Sequence, residues 1–156
     1  MLILQNEMPE STNLAAARAA HGRGVPVCLN AAPVRESSDE LKQLIDLLVV
    51  NQVEAEGFCG KKVADLEAAL QAARELLERF PQVVVTAGGS GVAYAARRGD
   101  SGTLPAHRVK VISTHGAGDC FVGHLCAALV RGAGLSEAVV QANEASARHV
   151  STPQVS

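Results

Sequence analysis

Short runs rich in Val and Leu alternate along this chain with longer runs rich in Ala, and this alternation constrains the fold more than any other feature. Residues 83–86 have the length and β-branched content of a buried strand, whereas residues 61–80 carry apolar side chains at helical spacing. Strands that alternate with helices build an open, mostly parallel sheet with helices on both faces. The sequence therefore predicts an α/β fold. Its length of 156 residues predicts a single domain over residues 1–156.

The predicted elements follow the order β-α-β-α-β-α-β-β-β-α-α. The predicted strands are residues 1–5, 25–30, 47–50, 83–86, 92–96 and 108–111, the last two antiparallel. The predicted helices are residues 11–21, 39–45, 61–80, 118–131 and 136–150. In such sheets, ligands bind outside the carboxyl ends of the strands. Four polar residues fall at or just beyond those ends: Asn30, Asn51, Glu54 and Thr86.

Charge and hydropathy exclude several classes of partner. The formal net charge is −2 and the basic residues form no block, so neither nucleic acid nor an anionic membrane surface is a predicted partner. No segment approaches the roughly 18 apolar residues of a membrane span, and no signal peptide precedes the first predicted strand. Four cysteines without a C-x-x-C pair favour reduced thiols. We therefore expect a soluble cytoplasmic protein.

A glycine-rich turn at residues 113–121 is the strongest chemical signal in the chain. Gly116 and Gly118 flank Ala117, Asp119 follows at once, and an apolar run at helical spacing then begins. The first amides of a helix lack intrahelical partners, and the helix dipole adds partial positive charge, so this turn suits an anion. Asp119 beside it is able to accept a proton from a hydroxyl. An anion site with an adjacent base indicates phosphoryl transfer to an alcohol.

Three further motifs accompany this turn in the chain. The four are Gly116-Ala117-Gly118-Asp119, Asn51-Gln52-Val53-Glu54, Thr86-Ala87-Gly88-Gly89-Ser90-Gly91 and Leu29-Asn30-Ala31-Ala32-Pro33. Each is weak alone because short glycine motifs occur by chance. Together, in this order and spacing, they resemble the carboxyl-terminal half of the ribokinase-like (PfkB-type) carbohydrate kinases over the whole chain.

The resemblance implies a role for each of these positions. The amides of residues 116–118 (Gly116, Ala117 and Gly118) would form the anion hole, and Asp119 would take the proton of the sugar hydroxyl. Glu54, with Asn51 beside it, would act on Mg²⁺ and phosphate through water, since a hard cation prefers oxygen ligands. The resemblance thus implies ATP and Mg²⁺ as cofactors and a small sugar, ribose-like as the first guess, as the acceptor.

The remaining implied contacts surround the nucleotide and the sugar. Asn30 would touch the nucleotide phosphates, while Thr86, Gly88 and Gly91 would line the nucleotide loop; Asn143 matches a helix position next to the adenine. Glu7 matches an acidic residue that contacts the sugar in ribokinases. Ser113 stands where ribokinases have an Asp that helps to hold a monovalent cation, so potassium activation is in doubt for this chain.

The chain is about half as long as members of the family. The resemblance therefore implies that the lid, the amino-terminal half and most of the sugar-binding residues are missing, and that a sheet edge is exposed. Two alternatives to an active sugar kinase stay open: a non-catalytic remnant that binds nucleotide, and one half of a split enzyme that needs a partner chain. A homo-oligomer formed through the exposed edge is also possible on this sequence.

Structural readings of the same residues also stay open. Asn51 could be a turn former at a strand end, Glu54 a solvated helix charge, and Asn143 an amide on a helix surface. His149 is predicted to be a surface residue. Cys120 and His124, spaced i and i+4, could form part of a zinc site, or Cys120 could be an activated thiol, although no further ligand or orienting group is visible.

Overall fold

The computed structural model describes residues 1–152, so the last four residues of the predicted domain lie outside it. The strands are β1 (Leu2–Gln5), β2 (Val27–Asn30), β3 (Leu47–Asn51), β4 (Gln82–Thr86), β5 (Gly91–Ala96) and β6 (Ser101–Pro105). The helices are α1 (Glu10–His21), α2 (Asp39–Gln43), α3 (Gln52–Cys59), α4 (Leu66–Leu76), α5 (Ala117–Val130) and α6 (Leu135–Ser151). A short 3-10 helix, Gly88–Ser90, connects β4 to β5.

The six strands form one mixed sheet in the order β1-β2-β3-β4-β5-β6. Strands β1 to β4 are parallel, and β5 and β6 are added antiparallel. Parallel neighbours require crossover connections, which the helices between β1 and β4 provide, whereas antiparallel strands can be joined by short turns. The α/β fold with a mostly parallel core is thus confirmed.

Helices cover both faces of this sheet, because the side chains of each strand alternate between them. On one face, α1 to α4 pack over residues such as Leu29, Val50 and Val83. On the other face, α5 and α6 pack over Val49, Val84 and their neighbours. The apolar residues that these two helices bury lie mainly on β2 to β5, and the turn before α5 lies near the carboxyl ends of the parallel strands.

The predicted helix over residues 61–80 is wrong at both ends, since α4 spans only Leu66–Leu76 and residues 77–80 lie outside it. Helix α4 begins only at Leu66, because the Asp65 side chain accepts a hydrogen bond from the Ala68 amide at 2.8 Å and caps the helix there. Upstream, the Val63 amide donates to Oε1 of Glu56 at 2.9 Å, so this segment is bound to α3 instead of continuing α4.

The predicted strand at residues 108–111 is also wrong. The partner of β5 is β6, which begins directly after the turn at residues 97–100 and has almost no apolar alternation. Val109 and Val111 are exposed and belong to no strand. Residues 101–105 follow β5 after a short turn, so they pair with it at a smaller entropic cost of loop closure than residues 108–111 would. Proximity along the chain therefore decided which segment pairs with β5. No helix within residues 1–152 is long and apolar enough to cross a lipid bilayer.

Candidate active site

The parallel strands end in polar residues at one edge of the sheet. The register pairs Gln5 with Asn30 and Asn51 with Thr86, so the ends of β1 to β4 lie side by side. Because strands of this kind are buried on both faces, their carboxyl ends are the first positions where polar side chains reach solvent. The sequence prediction that Asn30, Asn51 and Thr86 gather at this edge is therefore confirmed by the register.

Asn51 and Glu54 form a capping box at the start of α3. The Asn51 amide donates to Oε2 of Glu54 at 2.8 Å, and the Glu54 amide donates to Oδ1 of Asn51 at 2.9 Å. Nδ2 of Asn51 donates to Oε1 of Glu54 at 2.9 Å. Glu54 is only 6% exposed, so its reading as a solvated helix charge is wrong. Burial raises the pKa of Glu54, although the Asn51 amide acts in the opposite direction.

The turn before α5 presents several amides without partners. Gly116 is the N-cap residue with φ of 70°, a left-handed conformation that glycine adopts at no steric cost, and no side chain caps the helix. Within residues 1–152, the amides of Gly116, Gly118 and Asp119 donate to no protein acceptor, whereas the Ala117 amide donates to the Thr114 carbonyl at 3.2 Å. The amides open to an anion thus differ by one residue from the predicted set, since that of Ala117 is used within the turn.

A cavity of about 220 Å³ brings these two regions together. Its walls include every residue predicted for the phosphate side of the site: Asn30, Asn51, Glu54, Thr86, Gly116, Ala117, Gly118 and Asp119. Asp119 is exposed and lies in this wall with the amides, rather than pointing into the core. Among residues 1–152, no Lys or Arg lines the cavity, and its fixed positive potential there comes from backbone amides and from the dipoles of helices that begin at its wall.

A second, larger cavity of about 390 Å³ adjoins the first and shares Asn51, Thr86 and Gly118 with it. Ala117 and Phe121 also line both cavities; the other walls of the second include Gly88, Gly91, Val92 and Asn143, and its lining is mainly apolar. A polar cavity that contains free amides, next to an apolar one, suits a ligand with a charged end and a flat apolar end.

Gly91 and Asn143 shape this second cavity by fixing the end of β6. A Cβ atom at Gly91, where φ is 126°, would lie 2.0 Å from the Leu104 carbonyl oxygen, so only glycine allows this strand contact. Nδ2 of Asn143 donates to the Pro105 carbonyl at 3.1 Å. Asn143 is only half-buried, and its side chain joins α6 to the end of β6.

Helix α6 also supports the turn before α5, a role that the sequence did not indicate. Nε2 of His149 lies 2.8 Å from the His115 carbonyl oxygen, and Oγ of Ser146 donates to the Ala117 carbonyl at 3.3 Å. The carbonyl of Val150 accepts from the amide of Ile112 at 2.7 Å. His149, which the sequence predicted to lie at the surface, is half-buried, and its ring also contacts the turn before α5. The spacing of Ser146 and His149 on one helix face was the only available signal.

Gln5, at the end of β1, contacts a residue of the site, whereas Glu7, in the turn that follows, does not line it. Nε2 of Gln5 donates to Oδ1 of Asp119 at 3.4 Å, although the two residues are 114 positions apart. Glu7, which the resemblance places against the sugar, is exposed and lines neither cavity. The structure therefore brings together all predicted site residues except Glu7, and adds Gln5 and His149.

The alternative chemistry at Cys120 finds little support. Sγ of Cys120 lies 3.7 Å from Nδ1 of His124, but this nitrogen lies closer, 2.9 Å, to the carbonyl oxygen of Cys120 itself. Burial raises the pKa of the Cys120 thiol, which disfavours the reactive thiolate. Among the described residues, no group of three or more His, Cys, Asp or Glu side chains is placed to hold a metal ion.

The donor atoms near Glu54 nevertheless fit a hard cation that is bound mainly by phosphates and water. Each carboxylate oxygen of Glu54 accepts one bond from Asn51 and keeps further lone-pair capacity. The side-chain amide of Asn30 lines the same cavity and has an oxygen to offer. An oxygen-only set of this kind, with few protein ligands, is typical of Mg²⁺ sites that include substrate phosphates.

Comparison with known proteins identifies the family whose sequences this chain matches. The family described as pfkB family carbohydrate kinase matches residues 2–156. The ribokinase of Haemophilus influenzae is 38% identical over 139 residues, which cover 88% of this chain and 45% of that protein. The deoxyribokinase of Salmonella typhi is 32% identical over 125 residues, covering 79% of this chain and 40% of that protein.

Among solved structures, the ribokinase of Arabidopsis thaliana in complex with ribose and ATP superposes with a TM-score of 0.88. It is 28% identical to this chain, and the match covers 98% of this chain and 50% of the ribokinase. The chain thus spans about half the length of the curated relatives and of the structure that it matches.

Proposed function

This chain belongs to the pfkB family of carbohydrate kinases, and we propose that it carries the nucleotide side and the catalytic base of an ATP-dependent sugar kinase. The observation that carries the proposal is the cavity in which Asp119 and the free amides of α5 face Glu54 and Asn51. Similarity to a ribokinase that binds ribose and ATP supports a ribose-like acceptor. We also propose that the chain acts as one domain and is located in the cytoplasm.

In the proposed reaction, a hydroxyl oxygen of the sugar attacks the γ-phosphorus of ATP, and the bond from that phosphorus to the β,γ-bridging oxygen breaks. Asp119 accepts the hydroxyl proton, and the products are the sugar phosphate, ADP and that proton. The amides of Gly118 and Asp119, which have no protein acceptor within residues 1–152, would stabilise charge on the transferred group. Because these donors are fixed by the backbone, they need little reorganisation during the reaction.

The charge of the triphosphate calls for a further cation, since no Lys or Arg of the described part of the chain lines either cavity. We propose that Glu54 would hold Mg²⁺ through water, with Asn51 orienting Glu54, and that the bound cation would neutralise charge on the phosphates. Asn30 would contact the phosphates. Ser113 replaces the acid that helps to hold a monovalent cation in ribokinases, so we propose activity without potassium.

The base and ribose of ATP are proposed to occupy the second cavity. The backbone of Gly88 and Gly91 would form one side and α6, at Asn143, the other, with Thr86 between the two cavities. An apolar slot with few polar groups is a common arrangement for a flat ring.

The test uses the 156-residue chain with Mg-ATP and a panel of ribose, deoxyribose, fructose and nucleosides, following ADP release and the phosphorylated sugar. We expect phosphorylation of ribose, and a loss of about 10²–10⁴-fold in kcat in Asp119→Asn without loss of ATP binding. Glu137→Gln, which changes an acid in the first turn of α6, is the matched control and should behave as wild type. Equal activity of Asp119→Asn and wild type would contradict the proposal.

One observation favours a second candidate, in which the chain needs a partner chain for catalysis. Glu7, the residue that the resemblance places against the sugar, is exposed and is not among the described residues that line either cavity. Binding of Mg-ATP without turnover, followed by turnover when an amino-terminal kinase half is added, would support this candidate. Nucleotide binding without turnover in both conditions would instead indicate a non-catalytic remnant.

A further inference from the structure

The main chain at Gln5 is fixed from both sides. Gln5 is the last residue of β1 and pairs with Asn30 of β2. Its carbonyl oxygen accepts a hydrogen bond at 2.9 Å from Nδ2 of Asn13, a residue of α1 that is only 3% exposed. The next residue, Asn6, donates from its amide to the Ala32 carbonyl at 3.1 Å. The base of the Gln5 side chain therefore has little freedom to move.

The Gln5 side chain reaches across the edge of the sheet to α5. Its Nε2 donates to Oδ1 of Asp119 at 3.4 Å. This is the only hydrogen bond to the Asp119 side chain within the described residues, and Oδ2 has no partner there. Because an ionised carboxylate only accepts hydrogen bonds, the NH₂ group of Gln5, and not its carbonyl oxygen, must face Asp119.

We propose that Gln5 is a positioning residue for Asp119, an inference that rests on the proposed kinase function. The bond to Oδ1 restricts rotation of the carboxylate and leaves Oδ2 directed at the acceptor hydroxyl. An amide orients the carboxylate without adding a positive charge, so Asp119 keeps its capacity as a base. A base held in a productive orientation avoids the rate loss that accompanies small misplacements. Hydrogen bonds of catalytic groups are often long before the substrate binds, as this one is.

The contact itself is tested first, without any requirement for activity. In the ¹⁵N-labelled full chain, the side-chain NH₂ signals of Gln5 are assigned with Gln5→Leu and then followed in Asp119→Ala. We expect these signals to shift in Asp119→Ala, and the NH₂ signals of Gln71, which is exposed on α4, to stay in place. Unchanged Gln5 signals would overturn the proposal whatever the activity of the chain.

The positioning role is tested next by kinetics with Mg-ATP and ribose. Removal of the donor in Gln5→Leu should lower kcat about tenfold and leave KM for ATP within about twofold, because only the orientation of the base is lost. In Gln5→Glu, a second carboxylate faces Asp119 and disfavours ionisation of the pair, so the acidic limb of the rate profile should move to higher pH. Gln71→Leu and Gln71→Glu are the matched controls, in which neither change is expected.

The outcomes separate this inference from the proposed function. Full activity in Gln5→Leu, or an unmoved acidic limb in Gln5→Glu, would overturn the positioning role while the kinase proposal stands. If the wild-type chain transfers no phosphoryl group, the kinase proposal for this chain alone fails, and the NMR measurement decides whether Gln5 holds the carboxylate. Circular dichroism of Gln5→Leu and Gln5→Glu tests whether the two variants fold. Because leucine and glutamate differ in shape, a single packing defect would not explain both the lower kcat and the shifted rate profile.

Discussion

Asn51 and Glu54 each donate a backbone amide to the side chain of the other, with Asn51 N to Glu54 Oε2 at 2.8 Å and Glu54 N to Asn51 Oδ1 at 2.9 Å. This reciprocal capping fixes a nearly buried carboxylate in the wall of the cavity that contains Asp119. The same bonds that begin α3 therefore place the group that we propose for Mg²⁺. The capping role of Asn51 and Glu54 is therefore compatible with the role that we propose for them in binding Mg²⁺.

The first prediction concerns the pH dependence of stability at Glu54. Burial raises the pKa of Glu54 above its ordinary value, so folding favours the protonated form. The contribution of this residue is greatest below its unfolded pKa and is lost as pH rises through its folded pKa. The unfolding free energy of wild type minus that of Glu54→Gln should therefore fall as pH rises above the ordinary pKa of a glutamate, about 4.3, as measured by urea denaturation. Glu67→Gln, at an exposed acid of α4, should show no such fall; a rising difference for Glu54 would contradict the prediction.

The second prediction separates ligand binding from stability at Gly118. A Cβ atom there would meet no other atom within 4 Å, yet the residue lines both cavities. Gly118→Ala should leave thermal stability unchanged or raise it by up to about 1 kcal/mol, because alanine favours the helix. The added methyl group should weaken Mg-ATP binding about tenfold or more, as measured by calorimetry, if phosphate occupies this space. Gly123→Ala, in the same helix and equally free of contacts, should bind as wild type.

The third prediction concerns Gly91. Its φ of 126° and the close approach of the Leu104 carbonyl leave no room for a side chain. Gly91→Ala should lower the free energy of unfolding by about 2–4 kcal/mol, because the β5–β6 hairpin must open to admit the methyl group. Gly89→Ala, two residues away with no atom near its Cβ, should change it by less than about 1 kcal/mol. Equal effects of the two substitutions in urea denaturation would show that the strand contact is not the constraint.

The fourth prediction concerns the support of the α5 turn by His149. His149→Ala removes the ring that lies 2.8 Å from the His115 carbonyl and should cost about 1 kcal/mol of stability. We also expect slower phosphoryl transfer, because the amides at Gly118 depend on this turn. His107→Ala, at an exposed histidine, should alter neither property. If His149→Ala transfers phosphate at the wild-type rate, the turn is held sufficiently by Ser146 and Val150.

The sequence predicted the fold where the signals are local. The Val-rich runs gave the parallel strands, and Asn51 and Thr86 were placed correctly because a strand end is recognisable from a few residues. The errors at residues 61–65 and 108–111 arose where an apolar pattern continued past a capping side chain or past a hairpin. In both places a specific hydrogen bond or an earlier pairing outweighed periodicity.

The sequence by itself determined the α/β order, the glycine turn before α5 and the family motifs, because each depends on residues close together in the chain. Only the tertiary structure decided that Glu54 is buried, that His149 supports the anion site and that Gln5 reaches Asp119. Contacts across 114 residues depend on sheet register and on how α5 packs against the sheet. Those are properties of the whole fold, since no short segment specifies which distant side chain will lie opposite it.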